Sequence, residues 1–362
     1  MSLFPKNEPR KEVFPALTGI RALGAALVFI NHILPQGSHF LHGMNVLSFF
    51  FVLSGFLIVY IYNPTVTLSR QWIGSYFVNR LARIDPVYFL LVTIAIVLKT
   101  DFRPLFLFKN YTLTHALFNN LSDKAIGPSW SLTVEECFYA LAPLLMLLIR
   151  RSGFVACFSF CIGLLCLALS ISLFDISLLQ TPAFIFTTTF FGHFFEFFAG
   201  IVLAMIVLKR KCETAASRFP KWTIIGGLGM IFMLPLLAST TDLTIRIAIN
   251  NFLIAIPTAI FYFGLICERS VISRLLGADL FDKLGKSSYA FYLLHMIVIT
   301  YVAQPYILPS LGGVWWLYAI VVYALTSIIS FAIYTYYEQP LNKLIRRNAG
   351  QMNMPVPQPQ SK

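Results

Sequence analysis

Ten runs of mostly apolar residues, each near the length of a bilayer-crossing helix, succeed one another along this chain. A helix needs about 20 apolar residues to cross the hydrocarbon of a membrane, and lipid offers no partner to an unpaired backbone amide, so each run must satisfy its own hydrogen bonds. The runs cover 14–35, 46–62, 86–99, 132–149, 154–174, 189–208, 222–238, 247–266, 288–307 and 315–337. The third is the shortest, and 102–108 either extends it or lies in the interface. The predicted fold class is all-α: a polytopic membrane protein of about ten transmembrane helices, forming one domain over 1–348. Residues 349–362, rich in Pro and Gln, read as a disordered tail. Composition agrees, with 58% apolar and only 12% charged residues against about 25% charged in a soluble domain. Most of the surface must therefore meet lipid, and the bilayer is the first predicted partner.

The basic residues lie between the runs. With the N-terminus in the cytoplasm, inside segments hold 21 of the 27 Lys and Arg residues and outside segments hold 5, with Arg21 inside the first run. That split predicts both termini in the cytoplasm and gives no sign of a nucleic-acid partner. Lys6, Arg10 and Lys11 before an apolar run resemble a signal sequence, but Arg21 interrupts the run and no small-residue cleavage site follows, so an uncleaved first helix is expected. The six cysteines, mostly in apolar stretches and without a Cys-x-x-Cys pair, read as small hydrophobes rather than a disulfide framework or a metal site.

An ionisable side chain in hydrocarbon costs about 2.5–3.5 kcal/mol and needs a reason. Arg21 and His32 are eleven residues apart, which returns a helix to within about 20° of its starting direction over roughly 16 Å. Both share one face, making a polar stripe through the first span. The fourth span opens Gly127-Pro128-Ser129-Trp130-Ser131 and continues to Glu135 and Glu136. Entering from outside, it is expected to set Glu135 at the depth of His32, where a carboxylate can fix an imidazole tautomer and raise its basicity. The competing reading is a Glu pair favoured by a helix N-terminus. Arg80 and Arg83, beside a helix start on the cytoplasmic side, suit either a phosphate clamp or an ordinary positive-inside anchor. His193 and Glu196, one turn apart, are placed to pair with each other. His295 either serves the site or bonds a neighbouring helix, and His39, His42 and His115 are expected in outside loops.

These residues carry a resemblance. Leu17-Thr18-Gly19-Ile20-Arg21-Ala22 with His32, Phe49 to Leu57 around Ser54, Arg80-Leu81-Ala82-Arg83, Trp130-Ser131-Leu132 through Glu135 to Phe138-Tyr139, Glu196 to Gly200, and Gly285 through Ser288-Tyr289 and Tyr292-Leu293 to His295 occur in the order found in acyltransferase family 3. The chain resembles that family over nearly its whole length. It departs at Thr18, where family members often have Asp, at His193, where an Arg commonly precedes the Glu, and at Asp85, which replaces an apolar or aromatic residue.

The resemblance implies a membrane-bound O-acyltransferase of the cytoplasmic (inner) membrane. It would move an acyl group, most often acetyl, from acyl-CoA to a hydroxyl of a surface carbohydrate such as an O-antigen or exopolysaccharide. It implies His32 and Glu135 as catalytic residues and Arg21, Arg80 and Arg83 as binding the CoA donor. Ser54, Trp130, Ser131, Glu196, Tyr289 and His295 would make further site contacts, with no metal and no permanently bound cofactor. Ser54 lacks the Gly-x-Ser-x-Gly elbow of a nucleophilic serine. A polytopic transporter or flippase for a glycan or lipid is the rival class, because buried charges suit it too. The inverted repeats and paired broken helices common in transporters are not evident.

Overall fold

A computed structural model of the chain describes residues 14–34, 46–118, 124–174, 178–209 and 219–349. Its helices are α1 (Pro15–Ile33), α2 (Leu47–Tyr62), α3 (Arg70–Lys99), α4 (Pro104–Tyr111), α5 (Trp130–Ile171), α6 (Pro182–Thr188), α7 (Phe190–Lys209) and α8 (Lys221–Ser239). They continue with α9 (Leu243–Ile247), α10 (Ala255–Cys267), α11 (Val271–Leu276), α12 (Asp279–Lys286), α13 (Ser288–Val298), α14 (Leu308–Ser310), α15 (Trp315–Ile333) and α16 (Gln339–Ala349). Among the described residues there is no strand, only an isolated bridge between Phe118 and Leu178.

Over its described residues, each of the ten apolar runs is mostly helical. Among the described residues, eight helical stretches are long and apolar enough to cross a membrane, and Lys221–Leu237 is a shorter apolar helix. The stretch Gly127–Phe174 counts once among the eight, yet it contains two of the expected runs. They part at Gly153, whose φ of 83° and ψ of −177° break the helical path. A side chain there would be strained, which is what glycine avoids. Large apolar side chains such as Val97, Leu167, Ile231, Phe232 and Ile328 stand exposed on the outer surface, as lipid-facing residues must. The chain is a multi-pass membrane protein.

The third span differs from expectation. α3 begins sixteen residues before Pro86, at Arg70, where Ser69 caps it by accepting from the Trp72 amide at 3.2 Å. Pro86 sits inside the helix without ending it. Neighbouring helices make such a proline tolerable in a membrane protein. Arg80 and Arg83 are thus helical residues rather than loop residues. Thr100 ends α3 in the left-handed conformation (φ 55°), so 102–108 belongs mostly to a separate helix, α4.

α2 and α7 pack with their backbones almost touching. A Cβ on Gly55 would fall 2.2 Å from the Phe197 carbonyl oxygen, and one on Gly200 would fall 2.1 Å from that of Val52. Small residues of this kind let membrane helices approach closely. One apolar core gathers around α2, α5, α7 and α10, and a second around α1, α3, α13 and α15. Leu47, Phe49 and Tyr289 pack against both. Cys267 is disulfide-bonded, which corrects the reading of the cysteines as apolar filler alone. Residues 350–362 of the expected tail, and His39 and His42, lie outside the described residues.

Candidate active site

The seam between the two cores holds two cavities. The first, of about 80 Å³, is lined by Arg21, Arg83, Ser131, Glu135, Tyr139, Tyr289 and Glu338 among others. The second, of about 230 Å³, is lined by Val28, Asn31, His32, Trp130 and Met296 with the Gly127-Pro128 turn. Leu47 and Tyr292 line both and form their common wall. α1 therefore turns Arg21 into one cavity and His32 into the other, as a shared face with a separation of about 16 Å requires.

His32 and Glu135 do not meet. His32 Nδ1 lies 2.9 Å from the Val28 carbonyl oxygen, one turn back on α1, and 3.2 Å from Nε2 of His295. A carbonyl can only accept, so Nδ1 carries the proton and Nε2 of His32 keeps its lone pair. His295 is wholly buried, and its Nε2 offers a lone pair to the same Nδ1–H. The partner that orients His32 is thus a backbone carbonyl reinforced by a second imidazole, not a carboxylate. Glu135 accepts from the Ser54 hydroxyl, and Tyr139 donates to Ser54 Oγ at 3.4 Å. Its charged neighbours are Arg21, Arg83 and Arg80. Counting residues from the start of the fourth span had set Glu135 level with His32. α5 instead carries it against the middle of α2, where Ser54 stands.

The arginines differ in setting. Arg21 is half-buried and, among the described residues, makes no hydrogen bond or ion pair; Arg83, Tyr139, Glu135 and Arg80 surround it electrostatically. Arg80 is buried, gives a hydrogen bond to the Tyr62 hydroxyl at 3.1 Å, and stacks its guanidinium 5.2 Å from the Tyr62 ring centre. Arg83, one turn on, faces the smaller cavity. A free guanidinium lining a cavity is a ready ligand for an anion.

Trp130 lines the His32 cavity, whereas Ser131 and Tyr289 line the Arg21 cavity. Tyr289 is anchored by donating to the Ile84 carbonyl at 2.9 Å. Tyr292, to which the sequence alone assigns no role, is the residue that partitions the site. Its hydroxyl donates to the Pro128 carbonyl at 2.8 Å and lies 2.7 Å from Ser131 Oγ, tying α13 to the entry of α5. Its place in the Tyr292-Leu293…His295 string, three residues before His295 on one helix face, was the available signal.

Glu196 lines neither cavity. It and His193 are fully buried, with His193 Nδ1 2.9 Å from Glu196 Oε1. The Ser48 hydroxyl is 3.0 Å from the same oxygen. The other ring nitrogen of His193 lies 3.3 Å from the Thr187 carbonyl, which can only accept. Both ring nitrogens thus face oxygen, and one proton must sit between His193 and Glu196. The Trp130 ring, which walls the His32 cavity, lies 5.7 Å from the His193 ring. The expected pairing is present, and it stands behind Trp130, a wall residue of the His32 cavity.

His115 is likewise not solvated. It is buried in the α4–α5 connection, with Nε2 3.0 Å from Ser129 Oγ. Burial, reinforced by the nearby Lys124, lowers its pKa to about 4. The unfolded chain titrates this group near 6.5, so between those values the unfolded state binds more protons. Stability is full above pH 6.5 and is lost as the pH falls toward 4. The melting temperature of the purified protein should therefore drop over that interval, and His115→Gln should flatten this part of the profile. An unchanged slope in the variant would remove His115 as the cause.

The family model described as an acyltransferase domain matches residues 14–335. The chain belongs to acyltransferase family 3. Among similar proteins, one of Staphylococcus aureus (strain COL) named as an O-acetyltransferase is 25% identical over 91% of this chain and 57% of its own length. Acyltransferase MdmB of Streptomyces mycarofaciens is 24% identical, covering 96% of this chain and 97% of its own. Peptidoglycan O-acetyltransferase OatA of Listeria monocytogenes is 23% identical over 92% of this chain and 56% of its own. The chain thus spans a little over half the length of the first and third. No solved structure matches it significantly.

Proposed function

We propose that this family member is an O-acyltransferase of the cytoplasmic membrane. It would move an acyl group, acetyl in the first instance, from acyl-CoA to a hydroxyl of a surface carbohydrate. The observation that carries this reading is His32, whose Nε2 lone pair is left free on a cavity by the Nδ1–Val28 carbonyl contact. The charge split along the sequence favours the Arg80 and Arg83 end as cytoplasmic and the His32 end as external. Arg21 and Arg83 on the smaller cavity, with Arg80 behind, suit the anionic donor.

In the proposed step His32 Nε2 takes the proton of the acceptor hydroxyl as its oxygen attacks the thioester carbonyl. The tetrahedral adduct collapses, the C–S bond breaks, and the leaving CoA thiolate recovers the proton from the imidazolium. While charged, the ring keeps Nδ1–H shared between Val28 and His295. Arg21 would neutralise negative charge on the donor. A covalent acyl-His intermediate is the alternative route.

The test uses purified full-length protein in lipid nanodiscs supplied with acetyl-CoA, together with mass spectrometry of surface glycans from a deletion strain and its complemented form. Release of CoA, and an acetyl-sized mass increment that depends on the gene, are the expected results. If acyl-CoA is not consumed and no acyl substituent changes, the enzyme reading fails in favour of transport.

A further inference from the structure

α16 brings a third basic residue to the α3 arginines. It packs along α3, and Arg346 lies within electrostatic reach of Arg80, Arg83 and Tyr62. The Nε atoms of both Arg80 and Arg346 are buried without a hydrogen-bond partner. Among the described residues no ion pair joins Arg80, Arg83 or Arg346 to a carboxylate, although Glu136 and Glu338 stand nearby. Buried guanidinium donors are costly when unpaired, and like charges held together from two helices raise that cost. Tyr62 holds Arg80 from one side, with its hydroxyl on the guanidinium and its ring under the face, which leaves the Nε donor unanswered. Planar donor forks of this kind match phosphate oxygens in paired fashion.

We infer that Arg346 of α16 completes a phosphate-binding site with Arg80 and Arg83 of α3, taking the phosphate-bearing end of the donor. This rests on the acyl-CoA reading above. A lipid headgroup presents the same chemistry, so the experiment separates the two sources.

Full-length protein in nanodiscs of phosphatidylcholine alone is titrated with CoA and, separately, with inorganic pyrophosphate. Arg346→Gln should weaken binding of both by about 10- to 100-fold, the loss of a charged hydrogen bond or two, and Arg346→Lys should recover part of it. Melting temperatures identify a variant that is misfolded rather than weakened. In the transfer assay Arg346→Gln should raise the KM for acetyl-CoA with little change in kcat. Wild-type affinity in the Gln variant for both probes would overturn the inference while leaving the acyl-CoA reading intact. Arg346-dependent binding of pyrophosphate with no binding of CoA by wild type would keep the phosphate site and defeat the donor reading. A dependence on Arg346 seen only when phosphatidylglycerol is present, as a change in melting temperature, would also overturn it, by assigning the guanidinium to a headgroup.

Discussion

His32→Gln is expected to lose acyl transfer by about 10²- to 10⁴-fold, the contribution of a positioned general base, while inserting and folding like wild type. Glutamine keeps the size and polarity of the side chain, and His32 carries little packing because it is exposed on its cavity. His295→Phe should cost less, since His295 touches Nδ1 rather than the reacting atoms. It should alter the pH dependence of kcat/KM, which a purely structural role would leave in place. Glu135→Gln separates two geometries. If Glu135 were the partner of His32, the variant would shift the pH profile. Because Glu135 instead accepts from Ser54 beside the arginines, the expected effect is on donor KM with the profile unmoved. Transfer by His32→Gln within about tenfold of wild type would place the base elsewhere.

The second large effect is on folding. Glu196→Ala leaves His193 with an unanswered ring nitrogen and Ser48 without its carboxylate partner, all fully buried. Removing one member of a buried pair costs about 3–5 kcal/mol. Replacing both members with apolar residues of similar volume, His193→Phe with Glu196→Leu, should cost far less than the sum of the single changes, because no orphaned polar group remains. Thermal unfolding of the two single variants and the double variant in detergent checks this. Additive losses would show that the two side chains do not act as a pair.

The spans, the Arg21–His32 face and the His193–Glu196 pairing were legible because each depends on spacing along one helix. What depends on how two helices cross was not. Residue counting gives a depth to Glu135 only if α5, antiparallel to α1, is untilted and starts at the outer boundary. The 3₁₀ turn Gly127–Ser129 that leads into α5, bonded by Pro128 to Tyr292, sets a different start. For His295 the sequence leaves open whether it serves the site or bonds a neighbouring helix, and only the packing of α13 on α1 sets its ring against His32. Arg346 is hidden in the sequence for a similar reason. In sequence it is one of several basic residues after the last span, and only the packing of α16 on α3 singles it out.

The common wall of Leu47 and Tyr292 has a consequence for the cell rather than for the reaction. A bilayer that stores energy as an ion gradient fails if any resident protein offers an unbroken file of water from face to face. Arg21 and His32 alone would mark out such a file through α1. With Tyr292 pinned to Pro128 and Ser131, an aromatic ring stands in the wall between the two polar cavities. A ring at that place is expected to restrain proton leakage along the stripe, and the donor's thioester must pass it to reach His32.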